Sequence, residues 1–423
     1  MTTKTTLAIH GGKPAVSKQA PELFDWPILT KEDENAVLEV LRARSMSNTD
    51  VTEKFEKEFA EWEGTEFCLA CNNGTSAIHC ALYGAGVRRG DEVITPTYTF
   101  WATHTQLLSL GATPVFCDID PFTLCLDPKD VAKRITSKTK AIIVVHLFGY
   151  PADMDAIIDM VDGTGIKVVE DFSHAHGSTF RDRKVGSIGH VGAASIMSSK
   201  PFATGEGGVL TTNDRNIYEQ AVCFGHYERI ASCVQDPNRL KYAGLPWGGH
   251  KFRMHQMTSA IARAQLKKFD ARRAEGVSAS ERFYNKLRDI PGVKPHWPFD
   301  DERCAVGSSY CERIILGDEI ISKVPAKRIC EAISAEGSPT SAGTYYCHHL
   351  HPLWNELDVY GDGKPTSIAF ASRDTRLGPG SLPIAENIND RLISAPRFSV
   401  NMPKIVDQHA EAFRKVLSNL DQI

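Results

Sequence analysis

One lysine in this chain stands apart from the others by its surroundings. Lys200 lies in Ser195-Ile196-Met197-Ser198-Ser199-Lys200-Pro201-Phe202-Ala203-Thr204-Gly205-Glu206-Gly207-Gly208, a small, polar and sparsely charged stretch. Desolvation lowers a lysine pKa, and the neutral amine is the form that attacks an aldehyde. The glycines that follow let the backbone turn close to a ligand, although a solvated surface lysine fits the same letters. Upstream, Glu170-Asp171 ends an apolar run and leads into Phe172-Ser173-His174-Ala175-His176-Gly177. A carboxylate in such a setting needs a cationic partner to stay ionised. A bound pyridinium nitrogen would serve, and so would a structural Arg or Lys. Asn72-Asn73-Gly74-Thr75-Ser76-Ala77 can aim backbone N–H groups and two hydroxyls at an anion, or act only as a turn and helix cap. His174 and His176, two apart, and the group His348, His349 and His351 have the residue types of metal ligands. Without a further carboxylate or thiolate ligand set, hydrogen-bonding histidines are the better reading, and no metal is expected.

These residues need a scaffold, and the hydrophobic pattern supplies one. Strand candidates recur at Phe67 to Cys71, Glu92 to Thr95, Pro114 to Ile119, Ala141 to Val145, Lys167 to Glu170, Val191 to Ile196 and Val209 to Thr212. Helical stretches such as Ser76 to Leu82, Asp127 to Arg134 and Asp153 to Asp162 lie between them. Repeated β-α units imply a largely parallel sheet covered on both faces, with ligands bound beyond the carboxyl ends of the strands. Thr30 and Asp33 resemble a capping box that opens a helix through Val37, Leu38 and Leu41. After about residue 255 come long helical stretches, with Met257, Ile261 and Ala264 on one face and Phe283 and Leu287 on another. Beyond Gly337 the chain is rich in loops. The expected division is an N-terminal segment at 1–50 that joins a smaller domain, a large domain at 51–255, and connecting helices with a small domain at 256–423.

Composition narrows the class without naming an activity. The chain has 423 residues, 48 Lys+Arg against 52 Asp+Glu for a net charge of −4, and 42% hydrophobic residues. That is ordinary globular composition, with no basic excess to attract nucleic acid. No window approaches the roughly 18 apolar residues of a membrane span, and Met1 to His10 lacks the apolar core of a signal peptide. A soluble cytoplasmic protein is expected. The cysteines number 11, too sparse and irregular for a disulfide framework. Cys68 and Cys71 form one C-x-x-C, but on a strand they point to opposite faces and read as buried structural thiols. There is no Walker A loop, no G-x-G-x-x-G after a strand and no H-E-x-x-H.

In order and spacing, these pieces resemble the pyridoxal-phosphate-dependent sugar and cyclitol aminotransferases, the DegT/StrS group of the aspartate aminotransferase-like fold. The resemblance runs through most of the chain. It includes His10-Gly11-Gly12-Lys13-Pro14, Asn73-Gly74-Thr75-Ser76-Ala77, Thr95 to Thr103, Gly111-Ala112-Thr113-Pro114-Val115-Phe116 and Asp118-Ile119-Asp120. It continues through His146-Leu147-Phe148-Gly149, Glu170-Asp171, Lys200 with Gly205-Glu206-Gly207-Gly208, and Arg253-Met254. The fold so implied is α/β, a fold type I transferase with a mostly parallel seven-stranded sheet, helices on both faces and a smaller α+β domain.

The resemblance implies that pyridoxal 5'-phosphate is the cofactor and that Lys200 is the Schiff-base lysine and proton shuttle. Asp171 matches the partner of the pyridinium nitrogen, and His174 the residue beside the ring's 3-oxygen. Phe100 matches the aromatic stacked on the ring, and Gly74, Thr75, Ser76 and Ser195 match phosphate-binding positions. Where the family commonly has an Asn that reaches the neighbouring subunit's cofactor phosphate, this chain has Lys251, followed by Arg253 as a candidate for the donor carboxylate. Lys251 and the Ser173 to Gly177 run look more like members that aminate keto-inositols than those acting on nucleotide-linked sugars. The implied reaction moves an amino group from an amino acid, Gln or Glu, to a keto-cyclitol or keto-sugar, in a homodimer with shared sites. Sugar dehydratases of the same fold carry His at the lysine position, so Lys200 argues against that activity. A cofactor-binding regulator would need a DNA-binding element that the sequence lacks.

Overall fold

A computed structural model describes residues 6–18, 20–308 and 310–423. Residues 1–5, the start of the Met1 to His10 segment, lie outside the described residues. Seven strands form the main sheet: β1 (Phe67–Cys71), β2 (Glu92–Pro96), β3 (Thr113–Cys117), β4 (Thr139–Val145), β5 (Lys167–Asp171), β6 (Val191–Ser195) and β7 (Gly208–Thr212). Their spatial order is β1-β7-β6-β5-β4-β2-β3. Neighbours from β6 to β3 pair in parallel, whereas β7 runs antiparallel to both β1 and β6.

The helices that matter below are α1 (Lys31–Arg42), α2 (Asp50–Glu63), α3 (Gly74–Gly84), α4 (Pro128–Arg134), α5 (Met154–Val161), α6 (Arg215–Gly225), α7 (Gln256–Asn285) and α8 (Pro403–Leu417). Where sequence pattern overran α4 and α5, the cause is capping. Asp127 and Asp153 stand just outside and accept the N–H groups of Lys129 and Ala156. The Thr30–Asp33 capping box is present on α1, with the Asp33 carboxylate accepting the Thr30 N–H at 2.7 Å.

Alternation along β4 shows why both faces are covered. Ile142 and Val144 join a core with Phe59, Phe172 and Phe202, while Ala141 and Ile143 join another with Leu82, Ala221 and Val222. Each such Ile or Val contributes roughly 1.5–3 kcal/mol by leaving water. Cys68 and Cys71 likewise fall into opposite cores, as buried thiols on a strand should.

A second, antiparallel sheet is built from β8 (Val293–Pro295), β9 (Arg313–Leu316) and β10 (Leu392–Ser394). Its core gathers both ends of the chain, with Leu7 and Leu23 beside Phe283, Ile314 and Phe413. The stretches around Met257 and Phe283 belong to one helix, α7, of 30 residues. Ala262 and Phe269 on it pack in the first core and Phe283 and Tyr284 in the second, so α7 ties the two together. No helix among the described residues is long and apolar enough to cross a membrane.

Candidate active site

Beyond the carboxyl ends of the parallel strands lies a cavity of about 430 Å³, lined by Gly74, Thr75, Phe100, Asp171, His174, Ser195 and Lys200. Asp171 closes β5, Ser195 closes β6, and Lys200 sits in the connection from β6 to β7. That connection is held by its own backbone. Ile196 donates to Gly207 at 2.9 Å, Ser198 to Gly205 at 2.8 Å, and Lys200 to Met197 at 2.8 Å. At the mouth of the connection, β7 and β6 press against the start of α3. A Cβ on Gly74 would stand 2.5 Å from Ser195 Cβ, and one on Gly208 would stand 2.3 Å from the Asn73 carbonyl oxygen. Only glycine permits this approach.

The two adjacent acids have different tasks. Glu170 is wholly buried and accepts from the N–H groups of Gly186 and Ile188, both at 2.8 Å, and of Gly189, with His146 Nε2 at 3.0 Å. Burial alone would raise its pKa, but His146 and these amides hold it below the usual value. Asp171 accepts from Thr103 Oγ1 at 2.9 Å and from the Ser173 N–H at 3.1 Å. Among the described residues no Arg or Lys makes an ion pair with it, although the Lys200 amine is close enough to feel its charge.

Lys200 is 7% exposed. Its Nζ hydrogen-bonds the Tyr310 hydroxyl at 3.2 Å, and its carbonyl accepts from Trp26 Nε1 at 2.9 Å. Burial, with a smaller push from Arg397, lowers the amine's pKa against the opposing pull of Asp171 and Cys311. His174 lies nearly parallel to Phe148, with centroids 6.0 Å apart at 8°. Its Nδ1 accepts the Phe148 N–H at 3.4 Å, and burial followed by the Lys200 charge drives its pKa well down. The neutral ring thus keeps its proton on Nε2 and can donate it.

At the start of α3, Asn73 caps the helix by accepting the Ser76 N–H at 2.8 Å. Asn73 and Ser76 thus form the cap, while Gly74 and Thr75 face the cavity. Ser76 is buried and lines no part of it. Phe100, 51% exposed, forms a wall with Tyr345. Lys251 and Arg253 lie outside this cavity. Lys251 is exposed with its Nζ 5.9 Å from the Tyr227 ring, and Arg253 pairs with Glu228 at 3.6 Å. The backbone around them runs beside the α3 turn, since Asn72 donates to the Phe252 carbonyl at 2.7 Å.

Sequence reading gave Thr103 and Ser173 no individual role, though both lie in quoted motifs, and passed over Tyr310, Tyr345 and Arg397. Ser173, beside Asp171, accepts the Ser195 N–H at 2.9 Å. Arg397 donates from Nη1 to the Ser199 carbonyl at 2.7 Å, stacks 4.4 Å from Trp26, and has a buried Nη2 without a partner. The histidines after residue 347 have ordinary partners. His348 meets the Thr99 carbonyl at 3.0 Å, His349 meets Thr97 Oγ1 at 2.7 Å, and His351 caps Leu353.

This donor set fits pyridoxal 5'-phosphate. A desolvated amine, a carboxylate in no ion pair, a neutral imidazole donor and a helix start with facing hydroxyls share one enclosure. The amine and the carboxylate are the two groups that an aldehyde and a pyridine nitrogen require.

Comparison with known proteins agrees. Residues 27–398 match the DegT/DnrJ/EryC1/StrS aminotransferase family. The L-glutamine:scyllo-inosose aminotransferase of Streptomyces griseus is 29% identical over 436 residues, spanning 99% of each chain. The GDP-perosamine synthase of Caulobacter vibrioides is 38% identical over 249 residues, 57% of this chain and 64% of that one. The aminotransferase from Psychrobacter cryohalolentis superposes with a TM-score of 0.81 at 28% identity, over 94% of this chain and 100% of that one. The cavity and the match along the chain lead to one conclusion: this protein belongs to the DegT/DnrJ/EryC1/StrS family of sugar and cyclitol aminotransferases and depends on pyridoxal phosphate.

Proposed function

We propose that the protein transfers an amino group from glutamine or glutamate to the ketone of a free keto-cyclitol, in aminocyclitol biosynthesis. The observation that carries the reading is a buried Lys200, its pKa lowered by that burial, sharing one cavity with Asp171, whose carboxylate is in no ion pair. When bound, pyridoxal phosphate supplies an electron sink for the carbanion beside the transferred nitrogen. Lys200 Nζ takes the proton from the donor carbon and returns one to the acceptor carbon in the reverse half-reaction. Asp171 retains a proton on the pyridine nitrogen, with Thr103 and Ser173 fixing its two oxygens. His174 Nε2 donates to the ring oxygen. Phe100 covers one ring face, and Gly74, Thr75 and Ser195 hold the phosphate.

For the donor carboxylate, the Arg253–Glu228 pairing favours Arg397 over Arg253 within one subunit. Arg397 stands beside Ser199 and has a nitrogen to spare. Lys251, exposed and outside its own cavity, is assigned to the partner's cofactor phosphate in a homodimer with shared sites. The smaller domain is taken as 1–50 with 256–423, around the large domain at 51–255. All the described cysteines are free thiols, which supports a cytoplasmic enzyme.

The name of the Streptomyces griseus relative supports a free cyclitol acceptor, and that of the Caulobacter vibrioides relative supports a nucleotide-linked sugar as the second reading. Loading the enzyme in its pyridoxamine form and adding keto-cyclitols, keto-hexose phosphates or nucleotide keto-sugars separates them. Return of the pyridoxal spectrum with a free keto-cyclitol is expected, and return only with a nucleotide-linked sugar overturns the first reading.

A further inference from the structure

A second group of reactive side chains lies away from the cavity, in the core on the far side of the sheet from Cys68. Cys71 Sγ, Cys80 Sγ and a ring nitrogen of His226 all lie within 4.8 Å of one another. Cys71 ends β1, Cys80 lies on α3, and His226 caps α6, so three separate elements converge. All three residues are 0% exposed. The residue before His226 is Gly225, where a Cβ would stand 2.9 Å from Cys80 Sγ, so its bareness is what admits the thiol.

The spacing is that of ligands around one ion. With sulfur at about 2.3 Å and imidazole nitrogen at about 2.0 Å from a metal, tetrahedral or trigonal angles put the two ligand atoms about 3.5–3.7 Å apart. Cys71 Sγ and His226 Nε2 are 3.7 Å apart. Outside the group, the Cys71 thiol reaches only the Leu69 carbonyl, at 3.8 Å. His226 Nδ1 is buried without a hydrogen-bond partner.

Ligand type and number select the ion. Two thiolates and one imidazole make a soft set, and among the described residues no fourth Cys, His, Asp or Glu joins it. Zinc requires four ligands, and full burial denies it a water as the fourth. We propose that Cys71, Cys80 and His226 form a three-coordinate site for a soft monovalent cation, Cu(I). Binding makes two S–Cu bonds and one N–Cu bond, releases two thiol protons to solvent and transfers no electron. The two thiolates leave a net negative charge, with Arg229, paired with Glu56, and Arg253, paired with Glu228, nearby. The ion would clip β1, α3 and α6 together directly behind the phosphate turn. This site is independent of the transamination chemistry.

The test uses the full-length protein with its cofactor bound, given Cu(I) buffered by bicinchoninate under anaerobic conditions, with Zn(II) in a parallel arm. The expected result is withdrawal of one Cu(I) per chain, two sulfurs and one nitrogen around copper by X-ray absorption, and a rise in melting temperature. Cys80→Ala and His226→Phe each lose that uptake, whereas Cys223→Ala, a buried thiol on α6 outside the group, keeps it. Cys80→Ser removes the soft ligand while preserving size, and serves if the alanine variant does not fold. No uptake by the parent, uptake unchanged in the Cys80 and His226 variants, or Zn(II) held as tightly as Cu(I) overturns the proposal. The first of these results would mean an ordinary thiol–imidazole contact in the core.

Discussion

Lys200 Nζ and the Tyr310 hydroxyl are 3.2 Å apart, although 110 positions separate them in the chain. Burial pushes the two groups in opposite directions, the amine's pKa down and the phenol's up. Burial thus works against the charged form of each group, and the hydroxyl contact holds the amine in place while Asp171 pulls its pKa the other way.

Arg397 adds a small downward push on the Lys200 pKa. Removing it in Arg397→Met should let that pKa rise, so the acid limb of the kcat pH profile moves to higher pH. The same change should raise KM for the donor by about 10–100-fold, the value of a lost hydrogen bond to a charged group. Steady-state kinetics with donor varied across pH reads both, and an unchanged donor KM removes Arg397 from the donor site.

Thr103 holds one oxygen of Asp171. Thr103→Val keeps the side-chain shape and leaves that oxygen without its donor, for an expected loss of about 10–100-fold in kcat/KM. The cofactor should still bind, as read by its absorbance. Wild-type turnover in this variant would mean that Asp171 needs no such support.

Shared sites can be read by mixing subunits. Lys200→Ala and Lys251→Ala proteins are expected to be impaired alone. Unfolded and refolded together in equal amounts, they should recover about one quarter of wild-type activity, since half the dimers are mixed and each of those has one intact site. Activity equal to the mean of the two parents contradicts a shared site.

His176 is wholly buried, neither ring nitrogen has a partner, and burial with the Lys200 charge pushes its pKa down to about 3. The unfolded chain takes up a proton there below about pH 6.5 and the native chain does not, so stability falls as pH drops from there toward 3. This group alone costs about 2 kcal/mol at pH 5. His176→Phe should shrink the difference in unfolding free energy between pH 7 and pH 5 by about that amount, measured by urea denaturation. An unchanged difference would mean that His176 is hydrated in the native state.

Local chemistry made much of this molecule legible in its letters. The runs from Phe67 and Lys167 are apolar, β-rich and bounded by turns, and they became β1 and β5. Lys200 and Asp171 stood out because a charged group amid uncharged neighbours carries a desolvation cost that a ligand or an ion pair must offset. Tyr310, Tyr345 and Arg397 carried no such mark. Tyr310 and Tyr345 reach the cavity from beyond α7, Arg397 stands behind it against the Ser199 carbonyl, and no local period encodes which distant loop folds back there. Glu170 and Asp171 read alike as letters. Only the amides of Gly186, Ile188 and Gly189, brought in by the following turn, tell the structural acid from the one facing the cavity.

Gly74 comes against Ser195 and Gly208 against the Asn73 carbonyl, so this end of the cavity is narrowed where nothing larger than hydrogen fits. The opposite wall, with Phe100 and Tyr345, is made of side chains alone. Retargeting the enzyme to another acceptor would thus begin at Tyr345, because Phe100 in the same wall is also assigned to the cofactor ring.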